Sequence, residues 1–254
     1  MTRKRLALGV LALAMLAVSA GCASPFGGGV DEEQLNENAT YEWNASTDVY
    51  VNVTTGQYHA VYDVDNFEGK EFEIWQPGID SRNPVDISAL RYRYPNGTTM
   101  KGANLTVERR GGATVVELPR SQGKLAFTAA ADRKSLTLPS YMEGSYHVVL
   151  PENMRVGFPL FGRVAPGADE RTLNESSSRV HLEFDELDRT LNIQWYLARD
   201  LWLFAGLIGL LGVVGAGGVG YYLYQIRQLE REREDLGLDV TDEDDGRDPP
   251  PGMG

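Results

Sequence analysis

Through most of the middle of the chain apolar and polar residues alternate, and in two places the alternation gives way to a continuous apolar run. In Asp48 to Val53 (DVYVNV) and Gln57 to Val64 (QYHAVYDV) a hydrophobic residue recurs at every second position, the period at which a strand turns one face to a core. Thr54 to Gly56 supplies the turn between them. Leu90 to Tyr94 (LRYRY) and the run from Thr99 to Arg109 flank Asn96-Gly97, a tight-hairpin signal because both central residues must take positive φ. Leu105 to Arg109 and Ala113 to Pro119 flank Arg110-Gly111-Gly112 in the same way. The series continues through Gly123 to Ala129, Ser135 to Pro139, Ser145 to Pro151, Arg179 to Phe184 and Thr190 to Leu197. Short Val-, Tyr- and Thr-rich runs with no amphipathic helix between them predict a mainly β fold, in the form of an immunoglobulin-like β-sandwich. Residues 41–139 are expected to form that sandwich, with 140–199 as a smaller β addition packed on it.

The continuous apolar runs lie at the two ends. Leu201 to Ile226 holds twenty-six residues without a charge, against the roughly 20 needed to cross a hydrocarbon core. A transmembrane α-helix is therefore expected over 200–226. Trp195, Tyr196 and Trp202 at one end and Tyr221, Tyr222 and Tyr224 at the other read as interfacial aromatic belts. Arg227, Arg231 and Arg233 follow at once, which places the C-terminus in the cytoplasm and the preceding domain outside. A short cytoplasmic helix is expected over 227–237, and 238–254 is too acidic and proline-rich to fold. Within the span Ala205 and Gly209, and Gly212, Ala216 and Gly220, stand four apart, a small-residue face suited to helix self-association. Gly215, Gly217 and Gly220 also spell GxGxxG, but a dinucleotide site needs that motif between a strand and a helix.

The first apolar run, Leu6 to Val18, follows the basic Arg3, Lys4 and Arg5 and ends in small residues, the form of a secretory signal. Residues 1–22 are read as that signal and 23–40 as a flexible spacer. Ser19-Ala20-Gly21-Cys22 resembles a lipobox, and Cys22, the single cysteine, has no partner for a disulfide. Acylation of Cys22 is the expectation; the competing reading is a free thiol beside an ordinary cleavage after Ala20.

Six N-glycosylation sequons begin at Asn38, Asn44, Asn52, Asn96, Asn104 and Asn174, among only eleven asparagines, and all precede the apolar span. They agree with an exterior, glycosylated domain. The net charge of −12, and nineteen Arg against five Lys, resemble a surface adapted to high salt and exclude a nucleic-acid partner, since no basic stripe exists to offset phosphate repulsion.

Candidate chemistry is sparse. His59, His147 and His181 stand alone in strand-like runs, without metal-ligand spacing. Ser121 to Lys124 matches SxxK but lies in a turn, unaccompanied by the other motifs of serine acyl-transfer enzymes. The acidic stretch from Thr241 lacks the calcium-loop ligands. No catalytic residue, cofactor or metal is expected. The partners expected are the lipid bilayer and an envelope protein or a second copy of the chain. The favoured function is a non-catalytic binding or structural role at the cell envelope, with an exported hydrolase of envelope polymers as the alternative. Taken together, SAGC, the acid-rich β exterior with sequons, NIQWYLARDLWLF entering one span and the acidic proline-ended tail resemble haloarchaeal cell-surface proteins. Among these the chain is similar to an uncharacterised membrane-anchored family, a resemblance that implies no catalytic residues.

Mass analysis of the mature N-terminal peptide tests the lipobox reading. A diacylglyceryl-modified Cys22 is expected, and an unmodified peptide starting at Gly21 overturns it.

Overall fold

The computed structural model describes residues 30–65 and 67–235, which divide between Leu197 and Ala198 into a β-domain and a helix. The β-domain is built on β1 (Val49–Thr54), β2 (Gln57–Asp63), β5 (Ile87–Arg93), β6 (Thr99–Lys101), β9 (Lys124–Ala130), β11 (Gly144–Val149), β14 (Glu170–Asn174) and β15 (Arg179–Leu187). These form an eight-stranded sheet in the order β14-β15-β11-β1-β2-β9-β5-β6. A second sheet, β4-β3-β8-β7, is made by β3 (Glu71–Pro77), β4 (Arg82–Pro84), β7 (Val107–Arg110) and β8 (Ala113–Glu117). A third, β10-β16-β13, uses β10 (Ser135–Leu138), β13 (Arg163–Ala165) and β16 (Leu191–Gln194). Finally β12 (Met154–Arg155) pairs with β17 (Tyr196–Leu197).

The alternation read from the sequence dictates what lies inside. Along β1, Val49, Val51 and Val53 are fully buried while Tyr50 and Asn52 point the other way. One continuous core joins these valines to Phe72 and Ile74 of β3, Val116 of β8 and Leu136, Leu138, Leu191 and Ile193 of the third sheet. Two main sheets burying their facing sides in one cluster make a sandwich, and the fold is mainly β.

The pairing that organises the molecule is long-range. β1 pairs antiparallel with β2 through a short turn, and on its other edge pairs parallel with β11, Val49 opposite Tyr146 and Asn52 opposite Val149. Strands from 41–139 and from 140–199 therefore share one sheet. At the start of the parallel pair Asp48 Oδ2 accepts from the Ser145 backbone N–H at 2.8 Å and its hydroxyl at 2.7 Å. Gly144 has φ +148°, and a Cβ there would lie 2.7 Å from Asp48 Oδ2, so only glycine admits this clasp.

Two segments depart from the expected layout. The spacer expected over 23–40 is ordered in its described part: α1 (Glu32–Asn36), capped by Asp31 accepting from Glu33 N–H at 2.9 Å, buries Leu35 against the domain. Five residues are too few for an independent helix; Arg91 holds it. A bulge in β5 between Ser88 and Arg91, where Ala89 takes φ +51°, turns the Arg91 side chain toward α1. Its guanidinium donates to the carbonyls of Leu35 (3.1 Å), Leu90 (2.7 Å), Asn36 (3.2 Å) and Glu37 (2.5 Å). The second departure is the membrane-proximal aromatic belt. Trp195 is 1 % exposed, its indole N–H donating to Arg133 O at 3.2 Å, and Tyr196 is buried too. β16 and β17 carry these rings into the β-domain before the helix begins, which leaves Trp202 as the exposed aromatic at that end.

The helix, α2 (Ala198–Asp235), follows Leu197 with no intervening residue, and is one element across the expected span and its cytoplasmic extension. It is long and apolar enough to cross a membrane, and none of its apolar stretch is buried.

Replacing Arg91 with Met is expected to cost about 2–3 kcal/mol, because four carbonyls lose a charged donor. Urea unfolding measures the loss, and hydrogen exchange should quicken selectively at residues 31–37. Unchanged stability and unchanged exchange would show that α1 is held by Leu35 alone.

Candidate functional site

The outward side of the eight-stranded sheet is where chemistry collects. Strand alternation turns Tyr50 and Asn52 of β1, His59 of β2, Thr128 of β9, His147 of β11 and His181 and Glu183 of β15 to this side. Part of it is roofed by residues 39–43. Tyr41 packs on Val61, Ala89 and Ala126, and its hydroxyl lies 2.8 Å from Ala89 O, to which it donates, and 2.9 Å from Thr128 Oγ1. Burial raises the Tyr41 pKa to about 12, so the phenol stays protonated and can donate.

Beside this roof opens a cleft of about 420 Å³, whose walls include Trp43, Asp63, Asp65, Arg93, Tyr94 and Lys124. Three elements meet there: the segment after the roof, the ends of β2 and β9, and the tip of the β5–β6 hairpin. The Arg93 guanidinium stacks 5.5 Å from the centre of the Trp43 ring, which fixes the indole as a wall. Lys124 pairs with Asp63 at 3.3 Å across the register that joins β9 to β2. Asp65 Oδ1 accepts from the Gly123 N–H at 2.6 Å, and Asp63 Oδ1 from the Asp65 N–H at 3.2 Å. Both carboxylates are therefore tied into the wall. Aromatic faces beside fixed ion pairs and exposed amides suit a polar, ring-bearing ligand held by stacking and hydrogen bonds. The sequon residue Asn44 lines the same cleft.

The histidines are not isolated. His147 and His181 lie diagonally across β11 and β15, with His147 Nε2 and His181 Nδ1 2.9 Å apart and Glu183 Oε1 4.0 Å from His147 Nε2. The contact holds one proton between two nitrogens, and a second at the same place would set two N–H groups against each other. His59 lies elsewhere on the sheet, its Nδ1 2.8 Å from Thr128 Oγ1. Linear spacing conceals such a pair, because 34 residues separate its members. Both sit at outward positions of strands whose alternation is plain, so the shared face was the available signal, but the strand pairing was not. Among the described residues no group of three or more His, Cys, Asp or Glu side chains is arranged to hold a metal ion.

Of the predicted site residues, Cys22 lies outside the described residues, as does the acidic stretch from Thr241. Asn38, Asn44, Asn96, Asn104 and Asn174 are exposed: the first two in the connection between α1 and β1, Asn96 in the β5–β6 turn, Asn104 at the end of a 3-10 turn and Asn174 at the end of β14. Asn52 is half-buried in β1, where its Oδ1 accepts from Arg179 at 2.5 Å. Ser121 to Lys124 leads into β9, and Lys124 is engaged by Asp63. Gly215, Gly217 and Gly220 all lie inside α2, so their GxGxxG spacing has no strand-to-helix turn to serve.

Burial holds all three histidines below their ordinary value of 6.5; Glu183 opposes the drop at His147 and His181, and Arg179 adds to it at His181. The unfolded chain thus takes up protons at higher pH than the folded one. The histidines' stabilising contribution is complete above about pH 6.5 and is lost progressively as the pH falls below it. In urea titrations at about pH 7.5 and about pH 5.5, the double variant His147→Asn, His181→Asn should lose less stability on acidification than the wild type. An equally steep loss would place the sensitivity elsewhere.

No curated protein matches the chain. A family model does, over residues 45–241, which take in every strand and the whole of α2. By that match the chain belongs to a family of unknown function, DUF5803.

Proposed function

We propose that this chain is a single-pass membrane protein whose β-domain stands outside the cell and has a non-catalytic role there, holding a polar component of the envelope in the Trp43–Tyr94 cleft. The observation that carries the reading is α2, a long apolar helix with no buried stretch, joined directly to the last strand of the β-domain. Such a helix in water would leave a large apolar surface exposed, whereas in a bilayer it is at home. The orientation is supported by the six sequons, all before the helix, and by Arg227, Arg231 and Arg233 immediately after the apolar run. An acyl group on Cys22 would add a second point of attachment.

Binding is favoured over hydrolysis by the state of the cleft's carboxylates. A glycosidase needs one acid free to protonate a leaving group and a second group free to attack or activate water. Asp63 and Asp65 are instead engaged by Lys124 and by backbone N–H groups. Stacking on an aromatic wall needs neither carboxylate.

Two measurements test the proposal. In a Cys22→Ser background, Thr55→Cys should react with a membrane-impermeant maleimide in intact cells, and Glu232→Cys only after lysis; the reverse pattern overturns the topology. A photo-crosslinker at Ala45, on the cleft wall, should capture a discrete envelope component in living cells, and Trp43→Ala should reduce that capture about tenfold, the loss expected when one stacking wall worth roughly 1.4 kcal/mol is removed. Capture that survives the substitution, or that is equal from the exposed Glu152, removes the cleft from the function.

A further inference from the structure

Between Glu152 and Asp169 the otherwise acid-rich chain carries no acidic residue, and within that stretch Val156 to Gly162 (VGFPLFG) carries no charge of any kind. These seven residues leave β12 and form a tight turn, closed by Phe161 N–H and Gly162 N–H donating to Phe158 O at 3.0 and 2.8 Å. Leu160 stands at its apex, 74 % exposed. The turn is built to hold that shape. The Phe158 and Phe161 rings lie 5.6 Å apart, and Phe161 lies 6.0 Å from Tyr196. A Cβ on Gly162 would come within 2.8 Å of Val156 Cα and 3.1 Å of the Tyr196 ring, so glycine is what lets the turn close onto that tyrosine. A single exposed leucine is ordinary; an uncharged turn that is braced from behind while its apex stays bare is a surface without its partner.

Its place in the fold names the partner. β12 pairs with β17, Arg155 opposite Tyr196 and Met154 opposite Leu197, so the turn issues from the strand beside the last two residues of the β-domain. The next residue, Ala198, begins α2. Tyr196, against which the Phe161 ring packs, thus stands two residues before the start of that helix. The expected interfacial aromatics Trp195 and Tyr196 are buried, whereas Leu160, at the apex of the turn that packs on Tyr196, is exposed. Cations flank it: Arg163 is exposed at its foot, and Arg171 Nη1 lies 3.9 Å from where a Gly157 Cβ would stand. Apolar tips with arginines behind them match an acyl boundary overlain by phosphate headgroups.

We propose that the Phe158–Phe161 turn is a second membrane contact, with Leu160 seated in the bilayer that α2 crosses, about 5–10 Å into the boundary between headgroups and acyl chains. This rests on the reading of α2 as a membrane anchor.

The test uses the full chain, Cys22→Ser, in vesicles of phosphatidylcholine and phosphatidylglycerol, with a nitroxide on Leu160→Cys and, as an aqueous control, on Thr55→Cys. Leu160 is exposed, so labelling it does not disturb packing. Collision with oxygen should exceed collision with a water-soluble nickel chelate at position 160, and the order should reverse at position 55. Nickel-dominated relaxation at both positions overturns the proposal. So does a label at 160 shielded from both reagents, which would mean a protein partner. Alkaline extraction separates the two readings: a chain released by carbonate refutes the anchor, whereas a retained chain with an aqueous label at 160 refutes the turn alone.

Discussion

The parallel pairing of β1 with β11 is the constraint on which the rest of the β-domain depends. A parallel pair cannot be closed by a hairpin, and here the connection contains every strand from β2 to β10. Before β11 arrives, β1 has one free edge and the third sheet has no β16, since both β15 and β16 lie beyond it in the chain. Its arrival completes the eight-stranded sheet, brings His181 to His147, and carries Trp195 into the core. The Asp48–Ser145 clasp at the first residue of the pair acts as a register pin. A slip of one residue would turn Val148 outward and His147 into an apolar core.

What the sequence made legible was local. Alternation located β1, β2, β5, β9, β11 and β15; the turn residues at Thr54–Gly56, Asn96-Gly97 and Gly111-Gly112 marked three hairpins; and the uncharged run marked the helix. These signals act over a handful of residues and survive whatever the rest of the chain does. The parallel pairing left no trace because it depends on which edges remain open after the hairpins form. Arg91 illustrates the difference. In LRYRY it reads as an outward polar position of a strand, and only the bulge at Ala89 re-aims it at the carbonyls of α1. Trp195 illustrates the converse error, since an aromatic residue six positions before an apolar span has the composition of a membrane interface and the environment of a β-domain core.

The candidate site was less legible than the fold. Trp43, Asp63, Arg93 and Lys124 come from four separate segments, and none of them forms a motif with its neighbours in the chain. Their juxtaposition follows from the order β2-β9-β5 in the sheet and from the roof at Tyr41. An acidic chain without disulfides can hold such a cleft open because its ion pairs and cation–π stack are partly shielded by the walls, where salt screens them less than it would pairs in open water.

The glycines of α2 set a condition on the helix itself. Seven of them lie between Gly206 and Gly220, and in water each costs about 1 kcal/mol relative to alanine at a helix interior. In hydrocarbon the comparison changes, because a peptide group that leaves the helix finds no water to bond and forfeits several kcal/mol. A hydrocarbon surrounding would therefore hold this glycine-rich segment helical more firmly than water does, so that its helicity becomes a property of its solvent as much as of its residues.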